Sequence, residues 1–287
     1  MKPSGKTKVY GVIGDPVAHS LSPTLHNAAF AALKMDCIYL AFQVKSDELE
    51  NALRGMRSLG IAGLNVTMPH KSAVIPFLDE VEPTAGFLES VNTISNNGGK
   101  LLGFSTDGIG ALNALKGNGV KLSDKKILLL GGGGTAKAIA YALAAEVTKL
   151  VILNRSPQKI PYLTESLNRQ FSGRVTGGLL EPSALLKNLK DADVLINATS
   201  VGMHPDDAHS LVEPNLLKSS LTVMDVVYNP LETRLVKDAK KAGAQVISGV
   251  EMLIHQGAAS FEIWTGKPAP IEVMRKAALN KLVGAQT

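Results

Sequence analysis

KKILLLGGGGTAKAIAYALAAE (residues 125–146) is the stretch that decides the fold. An apolar run ends at four consecutive glycines, and an alanine-rich helical pattern begins directly after them. Such a switch of period marks a buried strand, a tight turn and a helix in immediate succession. The spacing Gly131-x-Gly133-x-x-Ala136 fits the fingerprint of a dinucleotide-binding β-α turn. In that fingerprint Gly131 makes the turn and Gly133 lets the backbone approach a pyrophosphate. Gly134 and the small Ala136 allow helix and sheet to pack closely. The helix start then offers free N–H groups and the positive end of its dipole to phosphate.

Working outward from this turn, β-α alternation extends in both directions, as expected for parallel sheets. On the C-terminal side, KLVILNR (149–155), ADVLINATS (192–200), LTVMDVVY (221–228) and AQVISG (244–249) read as strands. On the N-terminal side, KVYGVIG (8–14), IYLAFQV (38–44) and GLNVT (63–67) read as strands. They are separated by helices over 22–35, with Ser22 as the cap and Pro23 at the first position, and over 47–59. TDGIGALNALKGNGV (106–120) predicts a helix and a glycine-punctuated turn, and 251–283 predicts two helices broken at GKPAP. The expected fold class is α/β with two domains. An N-terminal, mostly parallel α/β substrate domain spans 1–107 and is completed by C-terminal helices over 250–287. A Rossmann-type domain spans 108–249.

Composition agrees with two globular domains. The chain has 287 residues, 45% hydrophobic and 19% charged, and a formal charge of +5. The basic residues are scattered, which favours anionic small molecules over a nucleic-acid stripe. Cys37 is the single cysteine and reads as a small packing residue, so neither a disulfide nor a cysteine-rich metal site is expected. With no signal-peptide pattern and no apolar run of membrane-spanning length, a cytoplasmic location is expected and membrane association is not.

The strand LVILNR (150–155) ends where an NAD-selective site usually carries an acid for the ribose hydroxyls. Here the strand ends in Asn154 and Arg155, followed by Ser156 and, three residues later, Lys159. Arginine beside amide and hydroxyl groups binds a 2′-phosphate that an acid would repel, so NADP is the expected cofactor.

Polar clusters fall at expected strand ends and helix starts, where open α/β sheets place ligands. HSLSP carries Ser20 and Ser22, which can cap a helix or cradle a carboxylate. NVTMPHK (65–71) carries Asn65, Thr67 and Lys71, SVNT (90–93) carries Asn92, FSTDG (104–108) carries Asp107, and MLIHQ carries Gln256. These are the donors and acceptors that read a small polyhydroxylated ligand. His70 reads as a packing or loop residue, and His19 as a support for the serine loop.

Taken together, GDPVAHSLSPTLHN, NVTMPHK, VNT, TDG, GGGGTAKA with NRSPQK, NATSVGM, DVVYNPLETRL and GVEMLIHQGAASFEIWTG strongly resemble the shikimate dehydrogenase family, including its quinate/shikimate relatives. The resemblance runs from about residue 9 to residue 280. It implies NADP-dependent, reversible reduction of 3-dehydroshikimate to shikimate. It makes Ser20 and Ser22 carboxylate ligands assisted by Tyr228. Asn65, Thr67, Lys71, Asn92, Asp107 and Gln256 become contacts of the ring hydroxyls, with Lys71 and Asp107 the catalytic pair. Gly131, Gly132, Gly133, Gly134, Thr135, Ala136, Asn154, Arg155, Ser156, Lys159, Thr199, Val226 and Gly249 become the cofactor side. No metal is implied, and the family contains both monomers and homodimers. Ser105 stands where the family commonly has asparagine. A quinate/shikimate dehydrogenase and a non-catalytic ligand sensor of the same fold are the alternatives. Ser22 favours shikimate over quinate, and the paired Lys71 and Asp107 favour an enzyme over a sensor.

Overall fold

A computed structural model describes residues 3–156, 158–171 and 173–284. The chain divides into two compact units, Met1–Gly110 with Ile254–Thr287, and Ala111–Leu253. Each contains one six-stranded sheet.

In the first unit, strands β1 (Lys8–Gly14), β2 (Cys37–Gln43) and β3 (Gly63–Val66) alternate with helices α1 (Ser22–Ala32) and α2 (Leu49–Ser58). Then come β4 (Glu80–Val81), α3 (Pro83–Leu88) and a hairpin of β5 (Thr93–Asn97) and β6 (Lys100–Phe104). The strand order is β2-β1-β3-β5-β6-β4, with β1 parallel to β2 and β3, and β5 antiparallel to β3 and β6. Helix α2 buries Leu49, Leu53 and Met56, a helical stripe that packs with Ile13, Leu64, Val66 and Ile94. On the other side of β1, Tyr10 packs against Phe30 and Trp264, ring centroids 5.2 Å apart in both pairs.

The sequence reading places Ser22 at the α1 cap, and the structure moves this by one residue. Leu21 is the N-cap, without a side-chain hydrogen bond, and Ser22 opens the helix. The Ser20 hydroxyl accepts from the Ser22 backbone N–H at 3.3 Å, so Ser20 supplies the polar contact at this end. The Ser22 side chain is buried instead and turned towards Tyr39.

Helix α4 (Asp107–Gly117) contains the first division between the units. The second unit continues through β7 (Lys126–Leu130), α5 (Gly134–Ala144), β8 (Lys149–Asn154), α6 (Lys159–Phe171), β9 (Val175–Leu179) and α7 (Pro182–Asp191). It ends with β10 (Val194–Asn197), β11 (Thr222–Asp225), α8 (Arg234–Lys241) and β12 (Gln245–Ile247). Helix α9 (Gly249–Thr265) contains the second division, and α10 (Ile271–Gly284) closes the described chain. The sheet order β12-β11-β10-β7-β8-β9 is parallel throughout and reverses direction between β7 and β10, which is the doubly wound arrangement. Because both faces of the sheet are covered, β7 needs no polar face. Ile127 and Leu129 enter one hydrophobic cluster while Leu128 and Leu130 enter another. Among the described residues, no helix is long and apolar enough to cross a membrane.

Candidate active site

Strand β3 ends at Val66, and the turn that follows delivers Lys71. Backbone bonds His70 N–H to Thr67 O (2.9 Å) and Val91 N–H to Lys71 O (2.8 Å) fix this turn against the strand leading into β5. His70 is fully buried and its Nε2 lies 2.7 Å from the Val44 carbonyl, so it anchors the turn as a packing residue. Lys71 Nζ donates to Asp107 Oδ2 at 2.5 Å, and their side chains are only 20% and 9% exposed. Asp107 opens α4, whose N-terminal dipole favours a carboxylate.

The pair is extended by amides. Asn92 Nδ2 lies 2.8 Å from Asp107 Oδ1, 2.9 Å from Thr106 Oγ1 and 3.2 Å from Gln256 Oε1. Asn92 Oδ1 accepts the Thr106 N–H at 2.7 Å, which orients the amide with its hydrogens towards the carboxylate. Residues from a turn, a strand end, α4 and α9 therefore converge within the first unit. This cluster can bind a hydroxyl, exchange a proton with it through Lys71 and stabilise charge on its oxygen.

Asn65, on β3 between Val12 and Thr93, joins the cluster through Asn92 O at 3.1 Å. It also accepts from the Tyr39 hydroxyl at 2.7 Å. Burial pushes the Tyr39 hydroxyl well above its ordinary pKa, and the Ser22 side chain hydrogen-bonds to it in opposition. Thr67 is half-buried against Gly14, where an added Cβ would come to 2.4 Å from its Cγ2. The sequence reading missed Tyr39, Thr93, Thr106 and Ser260, all of which hydrogen-bond to candidate site residues. For Ser260 a signal existed, because it lies one helical turn beyond Gln256 and donates to the Gln256 carbonyl at 3.0 Å.

In the second unit, the candidates gather at the carboxyl ends of β7, β8, β10 and β11. Gly131 has φ +122°, and a Cβ there would lie 2.7 Å from the Ala198 carbonyl oxygen, so this turn requires glycine. Gly132 packs beneath the Asn154 amide. Gly133 is the N-cap of α5 and has no side-chain cap, and space above it is open to beyond 4 Å. Thr135 and Ala136 continue the first turn of α5. Arg155 and Ser156 are exposed just past β8, and Asn154 Nδ2 donates to Ser156 O at 3.1 Å. Lys159 begins α6, but its side chain lies outside the described residues. Open backbone amides beside an exposed arginine fit a phosphorylated dinucleotide.

Asn197 and Asp225 brace the remaining strand ends. Asn197 Nδ2 donates to Asp225 Oδ1 at 2.9 Å, and Asn197 Oδ1 accepts the Thr199 hydroxyl at 2.7 Å. Asp225 also accepts from Thr233 Oγ1 (2.6 Å) and Val227 N–H (3.1 Å). Burial raises its pKa to about 6, against the opposing effect of these donors. Val226 follows directly, and Gly249 packs on the Val226 and Val227 carbonyls. Tyr228 is half-buried in the same loop, and burial raises its pKa. The structure thus gathers Thr199, Val226, Gly249 and the glycine turn at one end of a single sheet.

Matches to known proteins follow the same division. Residues 12–94 match the shikimate dehydrogenase substrate binding domain, 113–226 match shikimate / quinate 5-dehydrogenase, and 249–279 match the shikimate 5′-dehydrogenase C-terminal domain. The NADP(+) shikimate dehydrogenase of Methanosarcina barkeri is 46% identical over 279 residues, covering 96% of this chain and 99% of its own. This chain belongs to the shikimate dehydrogenase family. The Pyrococcus abyssi shikimate dehydrogenase (NADP(+)) is 48% identical over 275 residues, covering 96% and 98% of the two chains. A shikimate dehydrogenase crystallised in complex with NADP+ superimposes with a TM-score of 0.92 at 41% identity, covering 98% of both chains.

Proposed function

We propose that this chain catalyses the NADP-dependent, reversible reduction of 3-dehydroshikimate to shikimate, a step of aromatic amino acid biosynthesis. The observation that carries the reading is the partly buried Lys71–Asp107 pair braced by Asn92. Fold alone would leave the activity open, but this pair is placed for alcohol–ketone chemistry.

In the oxidation direction, Lys71 takes the proton of the reacting hydroxyl, and Asp107 holds the lysine and orients that hydroxyl. In the reduction direction Lys71 returns the proton and its N–H groups stabilise charge on the carbonyl oxygen. Asn92, Gln256, Asn65 and Thr67 read the ring hydroxyls, and Ser20, Ser22 and Tyr228 hold the carboxylate. The bound nicotinamide accepts or supplies the hydride. Gly131, Gly132, Gly133, Gly134, Thr135 and Ala136 hold its pyrophosphate, and Asn154, Arg155, Ser156 and Lys159 hold the 2′-phosphate. Thr199, Val226 and Gly249 line the nicotinamide side. On this reading residues 1–107 with 250–287 form the substrate domain and 108–249 the NADP domain. The protein acts in the cytoplasm on a small molecule, as a monomer or homodimer.

The test is the initial rate of NADPH or NADH formation by purified protein with shikimate or quinate, each offered with NADP or NAD. Rates confined to shikimate with NADP support the reading. Comparable rates with quinate or NAD transfer the chain to the dual-specificity group, and no turnover with any pair replaces the enzyme reading by a ligand sensor.

A further inference from the structure

Asn65 is 5% exposed, and every face of its amide that meets protein has a partner. Its Nδ2 has acceptors in Ser260 Oγ at 3.0 Å, Asn92 O at 3.1 Å and Thr93 Oγ1 at 3.2 Å. Its Oδ1 receives the Tyr39 hydroxyl at 2.7 Å. Turning the amide over would set Oδ1 against the Asn92 carbonyl, acceptor against acceptor, and would leave that carbonyl without this donor. Hydroxyl partners tolerate either orientation, but the Asn92 carbonyl does not, and the Tyr39 hydroxyl donating to Oδ1 reinforces the orientation that the carbonyl sets. Tyr39 is fully buried, stacked on His26 at 4.4 Å, and burial keeps its proton in place, so it remains a donor.

We propose that Tyr39 is a positioning residue that locks the Asn65 amide so that it offers the site an acceptor and no hydrogen. Both Nδ2 hydrogens are directed at protein acceptors, and one Oδ1 lone pair is occupied by Tyr39. The second Oδ1 lone pair is what remains for a ligand. Asn65 consequently selects a ligand hydroxyl at its contact and discriminates against a carbonyl or ether there. This deepens the proposed function and rests on Asn65 being a substrate contact.

Tyr39→Phe removes the donor and keeps the ring on His26. The expected result is a loss of about 10-fold in kcat/KM for shikimate, as for one neutral hydrogen bond, with KM for NADP unchanged. In an Asn65→Ala background the same substitution is expected to cost less than about 2-fold, because its effect passes through Asn65. Equal losses in both backgrounds, or no loss in either, overturn the proposal; equal losses would place the hydroxyl's action elsewhere, for instance at Ser22. A measurement without substrate separates this from the assigned reaction. The side-chain Nδ2 protons of Asn65 are expected to exchange with solvent at least about 10-fold faster in Tyr39→Phe than in the wild type, as seen by NMR. Unchanged exchange refutes the lock even if shikimate turnover is normal. Failure of the wild type to turn over shikimate refutes the reaction, and the amide measurement still decides the role of Tyr39.

Discussion

Lys71 and Asp107 meet at 2.5 Å although they come from opposite ends of a strand-rich segment, one from the turn after β3 and one from the first residue of α4. The contact depends on β5 and β6 lying between them, since the Lys71 carbonyl is bonded to Val91 and Asn92 N–H to Phe104 O. A pair held this way does not need substrate to assemble it, which is what a proton-transfer group requires. Lys71→Ala is expected to lower kcat by about 10³-fold, within the usual range for removing a general acid–base. NADP affinity, measured by fluorescence titration, is expected to stay within about 2-fold of the wild type, because the residues assigned to NADP lie elsewhere. Survival of turnover would remove Lys71 from the chemistry.

In the proposed function cofactor choice rests on Arg155, which is exposed beyond the end of β8. A charge-assisted hydrogen bond is worth about 1.5–3 kcal/mol, so Arg155→Gln is expected to reduce kcat/KM for NADP by about 10–100-fold. The value for NAD, which has no 2′-phosphate, is expected to change by less than about 3-fold. Raising ionic strength should weaken wild-type NADP binding more than that of the variant. Equal losses with both cofactors would mean that Arg155 supports the loop rather than the phosphate.

How much of this was legible in the sequence varies with the range of the interaction. The β7–α5 turn was legible because strand, glycines and helix are contiguous and Gly131 does its work within a few residues. The β5–β6 hairpin carries no such contiguous signal. Thr93–Asn97 ends in polar residues and the reversal is made by Gly98 and Gly99, with φ +64° and +95°, in a stretch that shows no strong apolar run. Lys71, Asn92, Asp107 and Gln256 stand in recognisable motifs, and the structure brings these four together. Tyr39 stands in none, and Ser260, although it lies within GVEMLIHQGAASFEIWTG, is marked only by its spacing from Gln256. Their bonds to Asn65 span 26 and 195 positions, and no local pattern announces a contact across such separations.

Gly249 starts α9 with its Cα pressed on the loop that follows β11. An added Cβ would lie 2.5 Å from the Val226 carbonyl oxygen and 2.6 Å from that of Val227, and neither atom belongs to a flexible side chain. Gly249→Ala therefore has to move backbone. The expected cost is about 1–3 kcal/mol of stability, as for overpacking elsewhere, read as a lowered urea midpoint. Because Val226 and Gly249 are assigned to the nicotinamide side, KM for NADP is expected to rise as well. A midpoint equal to the wild type would show that the loop yields without strain.

His26 gives the last expectation, and its sign follows from burial. The ring is fully enclosed between Tyr39, Phe30 and Trp264, both nitrogens are without a hydrogen-bond partner among the described residues, and burial pushes its pKa down to about 3. Below its ordinary pKa of 6.5 the unfolded chain binds a proton at this residue while the folded chain does not until about 3. Acidification through that window favours unfolding, because the unfolded state carries more bound protons. Stability from the neutral ring is complete above pH ~6.5 and falls by about 1.4 kcal/mol for each pH unit below it, levelling off near the folded value. Other groups titrate in the same range, so the difference between the wild type and His26→Leu is the quantity to measure. Whatever the variant loses at neutral pH through altered packing, its disadvantage is expected to shrink by about 3 kcal/mol between pH ~6.5 and ~4.5 in urea unfolding. A pH-independent difference would mean that the ring gains a proton without opening the fold.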